Sequence, residues 1–312
     1  MYESERAYSV KEPNQTQQGV ADASLQNRGG KVTNAATNPL LASLKVGFLG
    51  CGNMSQAMIS GMIKSQTLKP HHVFASNRSE GKLHKVRDQF GVQICPNNEE
   101  LVEGCDVVIL GAKPQDLLQS IEPIASCFSQ NQIVISLAAG LRLETLERYI
   151  PQVRWVRAMP NTPSLISKGV IGYMMNEPED NLATVIEDLM MPLGIVERVD
   201  DEDQFEALMI ACSSGTGFIY ELMMYWSDWL EERGFEPEVA RRLTVETFLG
   251  TSALAHLQPQ TPLQDLQSKV TSKKGITYAG LESMQELEVE RMIRVSFEKA
   301  HIRNQELFKS LK

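Results

Sequence analysis

The sequence predicts an α/β fold: a doubly wound parallel sheet over residues 45–203, followed by an all-helical unit over residues 204–312. Three observations carry that prediction. Residues 46–49 form a short apolar run that stops at Gly50-Cys51-Gly52, after which Met54, Ala57, Met58 and Met62 recur at helical spacing, which reads as strand, tight turn, helix. The alternation then repeats to five, each strand ending in small, Pro or Asn/Thr residues, as a ligand crevice along one sheet edge requires. From about Asp203 the apolar spacing is helical only.

At 312 residues the chain can bury a large core, and its hydrophobic fraction of 42% is that of a globular protein. A net charge of −9 argues against nucleic acid as the main partner and leaves small anionic ligands open through local positive sites. The five cysteines (Cys51, Cys95, Cys105, Cys127, Cys212) are odd in number and show no Cys-x-x-Cys pairs. Neither a disulfide framework nor a metal site is expected, and a reducing cytoplasm fits best. No run reaches the ~18–20 apolar residues of a membrane span, so no membrane partner is expected. Residues 1–44 are rich in Gln, Asn, Ser, Thr and Gly and read as a disordered tail. They lack a signal-peptide core, and Glu3, Glu5, Glu12 and Asp22 fit poorly with a targeting peptide.

Within the first turn, Gly50 permits the bend and Gly52 lets the backbone approach a pyrophosphate, held by free N–H groups and the positive end of the helix dipole. Ser55 occupies the third small position of a dinucleotide fingerprint. A second strand, 73–75, ends in Ser76-Asn77-Arg78-Ser79, where an NAD-binding fold carries an acidic residue for the ribose hydroxyls. Arg78 suits a 2′-phosphate instead and favours NADP; a solvated loop arginine is the plainer reading. Then follow a helix over 81–90, a strand over 92–94, a short helix over 98–103 and an apolar strand over 106–110 ending in Gly111-Ala112-Lys113-Pro114-Gln115. The next repeats are helix 116–128, strand 132–137 with the loop Ala138-Ala139-Gly140, helix 143–149, and strand 154–158 running into Met159-Pro160-Asn161-Thr162-Pro163.

In the helical part, Phe205, Leu208, Met209 and Cys212 share a face, and a helix over 218–232 carries Ile219, Leu222, Met223, Trp226 and Leu230. Pro237 stands near the start of a helix over 238–255, and a break at 271–277 precedes one long helical pattern to 311. So apolar a set is expected to pack on another chain, a monomeric bundle being the alternative.

The quoted residues resemble those of pyrroline-5-carboxylate reductases. The resemblance runs from residue 45 to the C-terminus and rests on Gly50-Cys51-Gly52-Asn53-Met54, Ala112-Lys113-Pro114-Gln115, Ser136-Leu137-Ala138-Ala139-Gly140, Arg157-Ala158-Met159-Pro160-Asn161-Thr162-Pro163 and the loop Ser272 to Thr277. It implies a Rossmann-type domain, an all-helical dimerisation domain, NAD(P)H as hydride donor (Arg78 favouring NADPH, NADH being less favoured), a small imino-acid substrate, and a homodimer or larger assembly of dimers. Cofactor contacts are expected from Phe48, Leu49, Gly50, Cys51, Gly52, Asn53, Met54, Asn77, Arg78, Asn98, Ala112, Lys113, Pro114, Ala138, Ala139 and Asn161.

The implied active site lies between the cofactor crevice and the partner's helical loop. Substrate contacts are expected from Ser272, Gly275, Ile276 and Thr277. Hydride would pass to the C=N carbon, with a proton reaching the nitrogen. The N–H groups of Gly275, Ile276 and Thr277 would hold the carboxylate, and Thr277, the catalytic candidate, would hydrogen-bond the ring nitrogen. Helix capping by Ser272 and Thr277 satisfies the same pattern.

The loop departs from the family's Ser-Pro-Gly-Gly-x-Thr, because Lys273 and Lys274 replace the proline and first glycine. Ser213-Ser214-Gly215-Thr216-Gly217-Phe218 and Glu286-Leu287-Glu288-Val289-Glu290-Arg291 also diverge. The cofactor half is intact and the substrate half eroded. Two rivals follow: a non-catalytic NADP-binding paralogue, and a β-hydroxyacid dehydrogenase or imine reductase-like enzyme, against which Asn53-Met54 and the 159–163 run argue.

Overall fold

The computed structural model describes residues 41 and 43–310 apart from 131 and 178. Most of the expected tail lies outside this range. Leu41 and Leu44 do not behave as tail: Leu41 is buried and Leu44 packs against the sheet's core, moving that boundary a few residues toward the N-terminus.

Among the described residues eight strands form one sheet in the order β3-β2-β1-β4-β5-β6-β7-β8. The first unit is β1 (Val46–Leu49) and α1 (Asn53–Lys64), followed by β2 (Val73–Ser76), α2 (Glu80–Phe90), β3 (Gln93–Ile94), α3 (Asn98–Gly104), β4 (Val107–Leu110) and α4 (Pro114–Ile121). Next come β5 (Ile133–Ser136), α5 (Leu143–Tyr149) and β6 (Arg154–Pro160). β1 lies between β2 and β4 and pairs in parallel with both. The strand order reverses there, which is where a doubly wound sheet opens a crevice at its carboxyl ends. β1 and β4 are buried at every position because helices cover both faces. Alternate residues divide between two cores: Val46, Phe48, Val107 and Ile109 on one face, Leu49, Val108 and Leu110 on the other.

Residues 164–202 hold elements the sequence reading leaves unassigned: β7 (Gly169–Met175), α6 (Asp180–Met190) and β8 (Gly194–Arg198). β7 runs antiparallel to β6, and β8 parallel to β7. The helix expected over 116–128 is α-helical only to Ile121. It continues as a 3-10 turn, Glu122–Cys127, because Pro123 lacks the N–H an α-helix needs.

Every element after β8 is helical: α7 (Glu202–Leu208), a π-helical segment (Met209–Ser214), α8 (Gly215–Glu232), α9 (Pro237–His256), α10 (Leu263–Lys269), α11 (Ile276–Glu286) and α12 (Val289–Ser310). The long helix expected to 311 is in fact two, broken at Leu287 and Glu288, where Glu288 takes φ +51°. α7 packs into the sheet's second core through Phe205, and the π segment through Met209 and Ile210; α12 returns to that core through Phe297 and Ala300. Charges tie the junction. Arg157 on β6, almost wholly buried, pairs with Glu202 and lies over the Phe205 ring at 4.2 Å. Buried Glu206 meets Arg142 at 2.9 Å and His301 of α12 at 3.4 Å.

One sequence expectation is corrected here. α7, the π segment and α8 join into a single helical run, Glu202–Glu232, of 31 residues with a mean hydropathy of 1.3 in its most apolar window, long and apolar enough by length and composition to cross a membrane.

Candidate active site

A cavity of about 540 Å³ opens at the carboxyl ends of β1, β2 and β4, a volume typical of a small-molecule site. The chain supplies it by local necessity. Gly50 sits at φ +100°, and a Cβ there would lie 2.9 Å from the Ala112 nitrogen. Only glycine meets both demands. At Gly52, by contrast, the nearest atom to an added Cβ is the Gly111 oxygen at 4.0 Å, so nothing in the protein requires glycine. A pyrophosphate backed against the turn would.

A Cβ on Gly111 would run into the Ser55 Oγ, so small residues let α1 approach the end of β4, the third role of a dinucleotide fingerprint. No side chain caps α1, its first turn carries no acidic residue, and its first helical bond runs from Gln56 N–H to the Gly52 carbonyl at 3.0 Å. The amides of Asn53, Met54 and Ser55 are left for an anion. These features fit a pyrophosphate.

Eight of the expected cofactor residues line the cavity: Leu49, Gly50, Gly52, Asn77, Arg78, Asn98, Ala112 and Lys113. Asn77 works chiefly by positioning, its Oδ1 accepting from the Cys51 amide at 3.1 Å to fix the glycine turn. Asn98 Oδ1 accepts from the Ser76 hydroxyl at 2.7 Å. Phe48 and Cys51 are buried in the core behind the turn. Burial pushes the Cys51 thiol up to about 11, against a lowering by the Lys82 charge, so it is a neutral packing group.

Asn53 and Met54 form the first turn of α1, and Pro114 starts α4. Ala138 and Ala139 follow β5 without lining the cavity. Asn161 is buried and tied, donating to the Cys212 carbonyl at 3.0 Å and accepting from the Val170 amide at 2.9 Å, so its side chain binds β6 to β7 and the π segment. The reading of the sequence missed Lys82, Asp116, Gln119 and Ser120, all lining the same cavity. Lys82, four residues after Arg78 on α2, was legible as a second cation; Asp116 is brought in by a long-range approach that no local pattern encodes.

The substrate loop stands apart from this cavity. Ser272, Gly275, Ile276 and Thr277 do not line it, and Ile276 is 96% exposed. Lys274 takes φ +58°, the left-handed region that favours the glycine it replaces. The Gly275 amide donates to the Ser272 carbonyl at 3.0 Å and is spent. The first helical bond of α11 starts at the Ala279 amide, leaving those of Ile276, Thr277 and Tyr278 as donors. No side chain caps α11, so the capping alternative for Ser272 and Thr277 is not what the structure adopts.

Sheet, switch-point cavity and helical second domain define a dinucleotide-dependent oxidoreductase. The family of NADP oxidoreductases described as coenzyme F420-dependent matches residues 45–140, and that of pyrroline-5-carboxylate reductase dimerisation matches residues 202–307. A pyrroline-5-carboxylate reductase from Pseudomonas aeruginosa is 30% identical over 87% of this chain and 99% of its own length. One from Arabidopsis thaliana is 31% identical over 78% of this chain and 88% of its own. The solved reductase of Coxiella burnetii superposes with a TM-score of 0.79 at 29% identity, covering 85% of this chain and 98% of that one. The chain belongs to the pyrroline-5-carboxylate reductase family.

Proposed function

We propose that the chain reduces 1-pyrroline-5-carboxylate to proline, with NADPH preferred to NADH, as a cytoplasmic homodimer or assembly of dimers. The observation that carries this reading is a glycine-lined crevice at the β1–β4 switch point joined, in one chain, to a domain that matches the reductases' dimerisation unit. When bound, the nicotinamide supplies the hydride. The chain's residues bind and orient. The first amides of α1 would hold the pyrophosphate, Arg78 and Lys82 would serve the 2′-phosphate, and Ala112 and Lys113, followed by Pro114 at the start of α4, would border the rest of the cofactor. The amides of Ile276 and Thr277, contributed by a second copy, hold the substrate carboxylate. The Thr277 hydroxyl directs the ring nitrogen, and water relays the proton, since an ordinary hydroxyl is a weak acid. The net charge of −9 keeps nucleic acid an unsuitable partner.

A non-catalytic NADP-binding paralogue is the second reading. One observation favours it: the loop that must present the substrate amides carries a lysine in a left-handed conformation where the family has glycine. Following NADPH absorbance with 1-pyrroline-5-carboxylate, together with proline formation, decides between the two. Turnover supports the reductase; tight NADPH binding without consumption supports the paralogue.

A further inference from the structure

Arg78, expected to take a 2′-phosphate, is already engaged. Its Nη2 donates to Asp116 Oδ2 at 2.7 Å, Arg78 reaching from the end of β2 and Asp116 from the first turn of α4, and both line the crevice. The Arg78 side chain is 88% exposed and that of Asp116 39%, so the pair is solvent-screened and adds little to the stability of the fold. Asp116 is the anchored partner, since the positive end of α4 favours a carboxylate there. Arg78 is the long, free one.

We propose that Asp116 is a specificity-determining residue that restrains discrimination for the 2′-phosphate. To bind, a 2′-phosphate must draw the guanidinium off Asp116 and then lie near a second negative charge. A 2′-hydroxyl meets neither obstacle and can donate to the carboxylate. The acidic group that the end of β2 lacks is thus supplied across the crevice by α4, and preference for NADPH is held below what Arg78 and Lys82 would otherwise give. The inference rests on reading the crevice as the NADPH site.

The test uses the full chain, with adenosine 2′,5′-bisphosphate and 5′-AMP as probes, titrated calorimetrically at two salt concentrations into wild type, Asp116→Asn, Arg78→Ala and the double variant. Wild type should prefer the bisphosphate. Asp116→Asn should raise that preference about two- to fivefold, the range of an exposed ion pair, with a smaller gain at high salt. In the Arg78→Ala background the same change should give a smaller gain, the part due to like-charge repulsion alone, which high salt removes. Both positions are accessible, so melting curves should coincide and confirm that the variants fold. A preference that stays level or falls in Asp116→Asn, or a gain that is undiminished without Arg78, overturns the proposal while leaving the crevice reading intact. Wild type with no preference for the bisphosphate overturns both.

Discussion

Arg78 and Lys82 stand at the crevice mouth as single charges whose value depends on what binds. Replacing Arg78 by alanine should weaken NADPH roughly tenfold and leave NADH nearly unchanged, because a charge-assisted bond is worth ~1.5 kcal/mol or more. Lys82→Met should cost less and lose its effect as salt rises, a point charge on a flexible stem being screened over ~8–10 Å. Fluorescence titrations with both cofactors read these differences; equal losses for NADH would remove the 2′-phosphate assignment. The cysteines behave differently. Burial raises the thiols of Cys51 and Cys105 from 9.0 to about 11 and about 12. Above pH 9 the unfolded chain releases protons that the folded state keeps, so stability is complete below pH 9 and falls as pH rises through 11 and 12. The slope is at most about 1.4 kcal/mol per pH unit per thiol. Urea midpoints at pH 8 and pH 10 should show the decline, and Cys51→Ala should flatten it; an unchanged slope would place the titration elsewhere.

The elements differ in how openly the sequence declares them. β1 to α1 is written locally: four apolar residues, glycines that force the bend, then apolar residues at helical spacing. Most of the crevice was accordingly legible, from Leu49 to Lys113. β7 and β8 were not, since β8 alternates between half-buried and exposed positions and its place is set by pairing with a strand that reverses direction. Nor did any local signal show that α7 would carry Phe205 into the sheet's core, or that the Asn161 side chain would tie β6 to β7 and the π segment.

The α7 junction makes a measurable claim. Glu202→Gln leaves a buried guanidinium without its counter-ion and should cost about 3 kcal/mol, whereas Glu144→Gln, which breaks an exposed pair with Arg148, should cost about 0.5 or less. Equal losses in denaturant titration would mean that Arg157 finds another partner. In the substrate loop, Lys274→Gly should relieve a left-handed residue and stabilise by about 1 kcal/mol. The pair Lys273→Pro, Lys274→Gly should also raise kcat/KM for 1-pyrroline-5-carboxylate. A clear fall, most marked at low salt, would instead make the lysines working groups for a more anionic substrate.

At the scale of the molecule, exposed apolar residues are unevenly placed. The sheet region leaves Leu165, Ile166, Met191 and Ile195 open, while the helices expose Tyr220, Met224, Trp229, Leu249, Leu254 and Met284 among others. α8 and α9 bury few of their own residues, Gly215, Ala240 and Thr244. A surface of this kind needs a cover. The run Glu202–Glu232 would suit a bilayer by length, yet its α7 end packs into the sheet's core through Phe205 and carries buried Glu206 into the junction with Arg142, so inserting it would dismantle that core. A second copy would cover the helices without that cost and would bring the exposed Ile276–Thr277 amides to the crevice, which, among the described residues, those amides of the same chain do not line. Light scattering should therefore find a dimer or a multiple of it, and vesicle flotation should leave the protein in solution. The paired change Met224→Glu, Leu249→Glu buries charge in the expected interface and should yield monomers. Those monomers should still bind NADPH, because the cavity is built within one chain, and should not turn over the imino acid. An active monomer would show that the substrate loop works from its own subunit, and the shared site would have to be abandoned.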